Sequence, residues 1–210
     1  MDEEIPVEEA PATRASLLLR VRDARDVLAW TEFDRRYGPL VLAYCRATGW
    51  QPTDAEDIRQ LVMAKLAKSL RGFEYRPEAG GFRRYLRKVI RGEMIRVSSR
   101  HKLALSAVPV EGHSVEARSE PEDAECLWER EWMRHHFRLA WTAVRESSEP
   151  ASLEIFRRLL AGASAAGIAQ AMDMTEGAVR KVKQRMCERL KAAITEQILD
   201  EEQRTSGPDL

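Results

Sequence analysis

The chain has 210 residues, and its 34 Lys+Arg balance 34 Asp+Glu, so the formal net charge at neutral pH is zero. Hydrophobic residues make up 44%, enough to bury a core, which excludes wholesale disorder. No apolar run approaches the roughly 20 residues a membrane span needs, and the acidic opening MDEEIPVEEAPA lacks the cationic start and apolar centre of a signal peptide. The expectation is no membrane span and a cytoplasmic location.

Zero net charge hides a strong segregation. Arg59 to Lys102 holds 13 Lys/Arg against 3 Asp/Glu, whereas Glu111 to Glu131 holds 8 acids against 2 bases. Local field, rather than total charge, steers association with polyanions, so a nucleic-acid partner stays open. The three cysteines, Cys45, Cys126 and Cys187, are odd in number and match no metal knuckle or disulfide framework. Reduced thiols, no metal and no cofactor are expected.

In chain order, residues 1–12 read as a disordered acidic tail. Helical periodicity starts at Thr13 and continues through Ser16, Leu17, Leu18 and Val21. Asp26 to Trp30 opens a second helix carrying Phe33 and Tyr37. Pro39 fits the first turn of a third, with Leu40, Leu42, Tyr44 and Cys45. Thr53 or Asp54 is expected to cap the next helix, which turns Ile58, Leu61, Val62, Leu66 and Leu70 toward a core. Phe73 to Gly81 reads as a loop with two aromatics and a glycine pair. From Phe82 to about Arg100 a basic helix faces Tyr85, Leu86, Val89, Ile90 and Met94 inward, with Arg83, Arg84, Arg87, Lys88 and Arg91 mostly outward.

Residues 101–121 lose the period and read as a linker. A helix resumes near Pro121 and carries Trp128, Trp132, Phe137 and Trp141 at helical spacing, as a domain core would. Adjacent His135 and His136 point in different directions on a helix and make no metal half-site. Ser152 to Leu160 and Ala165 to Met172 are two further helices. Thr175 then caps a helix whose Val179, Val182, Met186 and Leu190 share an apolar face. Arg180, Lys181, Lys183, Gln184, Arg185 and Arg189 occupy the opposite face. Two helices, a tight Asp173-Met174 connection and a basic second helix meet the requirements of a helix-turn-helix that enters the DNA major groove. The expected fold class is all-α, with two helical domains at 13–100 and 122–198, a flexible linker at 101–121 and a polar tail at 199–210.

The candidate sites follow from residue chemistry. Asp57 and Gln60, three apart, are neighbours on one helix face, and a carboxylate with an amide suits a cationic, polar partner surface. The Arg83–Arg91 face suits phosphates, which position DNA without reading it. Phe73 and Tyr75 could stack on single-stranded bases. On the last helix Arg180 and Lys181 can reach guanine edges, Gln184 suits adenine, and Lys183 or Arg185 can reach phosphates. No nucleophile elbow, P-loop or metalloprotease motif is present, so neither catalysis nor a small-molecule substrate is expected.

Several of these stretches together resemble bacterial sigma factors of the extracytoplasmic-function group, the smallest of the sigma-70 family. Asp54-Ala55-Glu56-Asp57-Ile58-Arg59-Gln60 is similar to the family's Asp-Ala-Glu-Asp-x-x-Gln signature, and Phe82-Arg83-Arg84-Tyr85-Leu86-Arg87-Lys88-Val89 to its Phe-x-x-Trp-Leu-x-x-Ile run. Ile168 to Ala171 and Thr175 to Val179 look like the domain that reads the −35 element. The resemblance implies a first domain of sigma region 2 type and a second of sigma region 4 type. It implies that Asp57, Gln60 and Leu61 bind the clamp coiled coil of core RNA polymerase. It further implies that Phe73, Tyr75, Arg83, Arg84, Arg87, Lys88 and Arg91 meet the −10 element of promoter DNA, and that Thr175, Arg180, Lys181, Lys183, Gln184 and Arg185 meet the −35 element. It also admits an anti-sigma protein as a partner, one the sequence does not identify. The chain departs from the pattern at Leu61, Tyr85, Gly92, Arg96 and Met172-Asp173. Two other readings suit the same residues: a stand-alone helix-turn-helix regulator, and a sigma-like interaction protein without promoter recognition.

Overall fold

The computed structural model describes residues 17–72, 81–106 and 121–203. Every regular element among them is helical, as the periodicity predicts. In order they are α1 (Leu17–Arg20), α2 (Val27–Ala47), α3 (Pro52–Ser69) with a 3-10 turn at Leu70–Gly72, α4 (Gly81–Ser106), α5 (Pro121–Glu146), α6 (Pro150–Leu160), α7 (Ala165–Ala171) and α8 (Glu176–Gln203). The expected acidic tail, the Phe73–Gly80 part of the loop, residues 107–120 of the linker and the last seven residues lie outside the described residues.

Pro39 does not open a helix; it sits inside α2. A mid-helix proline removes one backbone bond and crowds the preceding turn, at about 3 kcal/mol. Phe33, Tyr37, Leu40, Val41, Tyr44 and Cys45 form a stripe on both sides of it, each at most 1% exposed. Burying each large apolar side chain contributes roughly 1.5–3 kcal/mol, so the stripe outweighs the break. Beside the proline, a Cβ on Gly38 would lie 2.9 Å from Asp34 Oδ1. Glycine there leaves Asp34 free to reach Arg59 of α3.

The cap of α3 also differs from expectation. Gln51 is the N-cap and Pro52 the first helical residue, ahead of Thr53 and Asp54. Proline forces the residue before it into extended backbone, and Gln51 has φ −63° and ψ 152°. Proline at that position forgoes only an N–H that would lack a partner anyway.

Two apolar cores result, and α5 belongs to both. The first gathers α1–α4 together with Trp128 and Trp132 from the front of α5. The second gathers Ala140 and Val144 from its rear with Ile155, Phe156, Ile168, Val179, Val182, Met186 and Leu190. The tryptophan series therefore does not share one core: Trp141 packs with the second, and Phe137, between the two, is 40% exposed. Packing divides the series because α5 crosses from α2 to α8, touching both.

The far end of α8 returns to the first core. Glu201, 5% exposed, accepts a hydrogen bond from Tyr37 Oη (2.6 Å) and lies 3.7 Å from Arg36 and 3.5 Å from His136 Nε2. The Gln197 amide donates to His136 Nδ1 at 3.0 Å. His135, also buried, stacks on Tyr37 at 5.4 Å. Burial, with help from His136, Arg36 and Arg138, pushes its pKa down to about 3, so the ring is neutral.

Candidate nucleic-acid interface

Helix α4 is held by Phe82, Leu86, Ile90, Met94 and Val97, all buried at helical spacing. Phe82 meets the rings of Phe33 and Tyr37 at 6.0 and 5.1 Å, and Tyr85 Oη donates to Ser69 Oγ of α3 at 2.5 Å. With that stripe fixed, the remaining positions have only two directions. Arg84, Lys88 and Arg91 face solvent.

Arg83 and Arg87, expected to face mostly outward, are only partly exposed. They lie along the flank facing α5, where Arg83 pairs with Glu129 and Arg87 with Glu125. The Arg83 guanidinium also lies over the Trp132 ring, 5.4 Å from its centroid. Only 15% of the Arg87 side chain is exposed. A guanidinium on a half-buried helix flank takes the nearest carboxylate, and the front of α5 supplies two at the same four-residue spacing. Sequence reasoning missed Glu125 and Glu129. That shared spacing, within opposite charge zones, was the available signal.

On α3, Asp57 and Gln60 are exposed on one face, and Leu61 is half-buried against the first core. Arg59, between them, is turned away: it bonds Glu56 at 2.5 Å and Asp34 at 2.5 Å. Those bonds hold the Glu56 carboxyl below its usual range and the Arg59 guanidinium above its own. The face that remains presents a carboxylate and an amide. Phe73 and Tyr75 lie outside the described residues.

On the second unit, Gly162 ends α6 and Asp173 ends α7, both with positive φ (88° and 50°). Each makes a Schellman turn: Ala163 N–H donates to Arg158 O, and Met174 N–H to Ala169 O, both at 3.0 Å. Asp173 occupies a left-handed position that glycine fills without strain, which aspartate tolerates better than most residues. Thr175 Oγ1 accepts from Ala178 N–H at 3.2 Å and starts α8, while Val179, Val182, Met186 and Leu190 are buried.

The outer face of α8 carries Arg180, Lys181, Lys183, Gln184 and Arg185, all exposed. Arg180 pairs with Glu176 one turn back (2.8 Å), and the Gln184 amide donates to Glu188 (2.9 Å). Arg189 leaves this face, donating to Ser147 O at 3.0 Å and Ser148 Oγ at 2.8 Å, so it ties α8 to the α5–α6 turn.

Cys45 is buried, and desolvation pushes its thiol up to about 12; Cys126 is exposed and Cys187 half-buried, and all three are free thiols. No described helix is long and apolar enough to cross a membrane.

Residues 33–103 match the family model Sigma-70 region 2. No curated protein sequence matches the chain. The matched span runs from the apolar stripe of α2 through α3 and most of α4, the unit that displays Asp57, Gln60 and the α4 cations. The chain thus contains a Sigma-70 region 2 domain, which supports a sigma-70 family factor with a role in RNA polymerase binding and promoter melting.

Proposed function

We propose that this chain is a sigma factor of the extracytoplasmic-function group, acting in the cytoplasm. The region 2 match over residues 33–103, coinciding with an exposed acid–amide face and an exposed cation row, carries the reading. Asp57, Gln60 and the adjoining edge of Leu61 would dock on the clamp coiled coil of core RNA polymerase. Arg84, Lys88 and Arg91 would hold phosphates beside the −10 element. Phosphate contacts position and orient, so they suit a face that grips DNA while it is opened.

The helix pair α7–α8 would read the −35 element, with Arg180, Lys181 and Gln184 at base edges and Lys183 and Arg185 at phosphates. The short α7, the tight Asp173 turn and the exposed basic face of α8 support this part. In that division residues 13–100 act at −10, residues 122–198 at −35, and 101–121 connect them.

Run-off transcription with core enzyme tests the proposal. The expected result is a core complex that initiates from a genomic promoter. A chain that neither binds core nor directs initiation would sink it. One observation favours a second reading, a sigma-like interaction protein without promoter recognition: two of the five cations between Arg83 and Arg91 are held by glutamates of α5. Core binding without promoter opening would support that alternative.

A further inference from the structure

Helices α4 and α5 form two matched rungs. As the α4 partner advances from Arg83 to Arg87, the α5 partner retreats from Glu129 to Glu125, so the helices run antiparallel with like spacing. A cleft of about 420 Å³ between them is lined by Arg83, Arg84, Arg87, Glu125, Trp128 and Glu129. Any phosphate approaching Arg84 from this side meets two carboxylates already seated on its neighbours.

Both ion pairs and apolar packing hold α5 beside α4. The glutamates are 56% and 53% exposed, so the ion pairs alone are exchangeable with solvent ions. Beneath them Trp128 and Trp132 are 1% and 5% exposed, and Trp128 meets Tyr44 edge-on at 5.2 Å. The apolar clamp fixes α5 against the first core, and the acidic turn then lies on the Arg83–Arg87 flank of α4.

We propose that the front of α5 is an autoinhibitory cover, in which Glu129 and Glu125 stand in for DNA phosphates on Arg83 and Arg87 until α5 lifts from α4. This rests on reading α4 as a DNA face. A carboxylate and a phosphate oxygen compete for the same guanidinium donors, so the free chain binds DNA with fewer cations than α4 carries. Once α5 lifts, the released pair adds to Arg84, Lys88 and Arg91.

The test is fluorescence anisotropy of the full chain, without polymerase, on a labelled single-stranded oligonucleotide across a salt series. Glu125→Gln with Glu129→Gln is expected to tighten binding by about fivefold or more and to steepen the slope of log K against log salt by roughly 1.4, about 0.7 for each phosphate taken by a freed arginine on a single strand. Glu146→Gln with Glu149→Gln makes the same charge change at exposed sites away from α4 and is expected to shift affinity by less than about twofold. Glu125→Asp with Glu129→Asp keeps the net charge but shortens both reaches, and is expected to tighten binding more than the Glu146/Glu149 pair does. Equal shifts for both glutamine pairs, with an unchanged salt slope, would overturn the cover and reduce the effect to net charge. Run-off transcription reports on the sigma reading separately, so either idea can fail alone.

Discussion

The two basic helices are built alike on the inside and differently on the outside. Helix α4 buries Phe82, Leu86 and Ile90, and α8 buries Val179, Val182 and Met186, in both cases leaving cations on the reverse. Among the described residues the outer face of α8 has no helix across from it, and its charge pairing is local, as in Arg180 with Glu176. On α4 another helix lies along the flank and takes two of the five cations between Arg83 and Arg91. A basic helix in sequence is therefore a supply of charge, and what packs beside it sets how much reaches a ligand.

The largest expected effect tests whether the two cores stand separately. Phe82→Ala removes a ring that meets Phe33 and Tyr37, and should destabilise the first core by about 3–5 kcal/mol. Urea unfolding followed by hydrogen exchange should show α4 amides losing protection well before those of α8. Simultaneous loss would mean that α5 couples the cores into one unit.

A pH series sharpens the role of α5 as the shared element. His135 has its pKa depressed to about 3 in the fold, against about 6.5 unfolded. Above 6.5 neither state binds the proton. Between 6.5 and about 3 only the unfolded state does, so stability falls as pH falls, by at most about 1.4 kcal/mol per unit from this group. Denaturation midpoints for the protein and for His135→Gln should converge as pH drops from 6.5 toward 4. Parallel curves would show that His135 takes its proton in the folded state.

Next comes the exposed charge itself. Replacing Arg84, Lys88 and Arg91 by Ala should weaken binding to any DNA sequence by about a hundredfold at moderate salt, as loss of about three phosphate contacts implies. Arg180→Ala with Lys181→Ala should instead weaken −35 duplex selectively, by about tenfold or more, with core binding unchanged. Anisotropy on matched and scrambled duplexes, alongside core pull-down, separates the two. Equal loss of core binding and −35 binding would contradict the division of labour between the helices.

The smallest effect concerns the turn that aims α8. Asp173→Gly relieves a left-handed aspartate and should raise stability by up to about 1 kcal/mol, whereas Gly162→Ala should lower it by about 1 kcal/mol. Thermal melts of the two variants should therefore move in opposite directions.

What was legible in the sequence is what depends on neighbours a few residues away. The inward stripes of α4 and α8, the Thr175 cap and the end of α6 at Gly162 all follow from helical period and backbone chemistry, which the local residues carry by themselves. The exposed Asp57–Gln60 face belongs to the same class. Tertiary packing decided the rest. Pro39 stays inside α2 because a buried stripe on both sides outweighs one lost hydrogen bond. Arg59 leaves its face for an aspartate 25 positions away. The α5 tryptophans are divided between two cores, Glu201 is drawn onto Tyr37, and Arg83 and Arg87 are claimed by glutamates about forty residues downstream. A helix's own period specifies which side is apolar, but a charge pair between helices depends on how they are placed, and that placement is set by the summed burial of side chains remote from both partners.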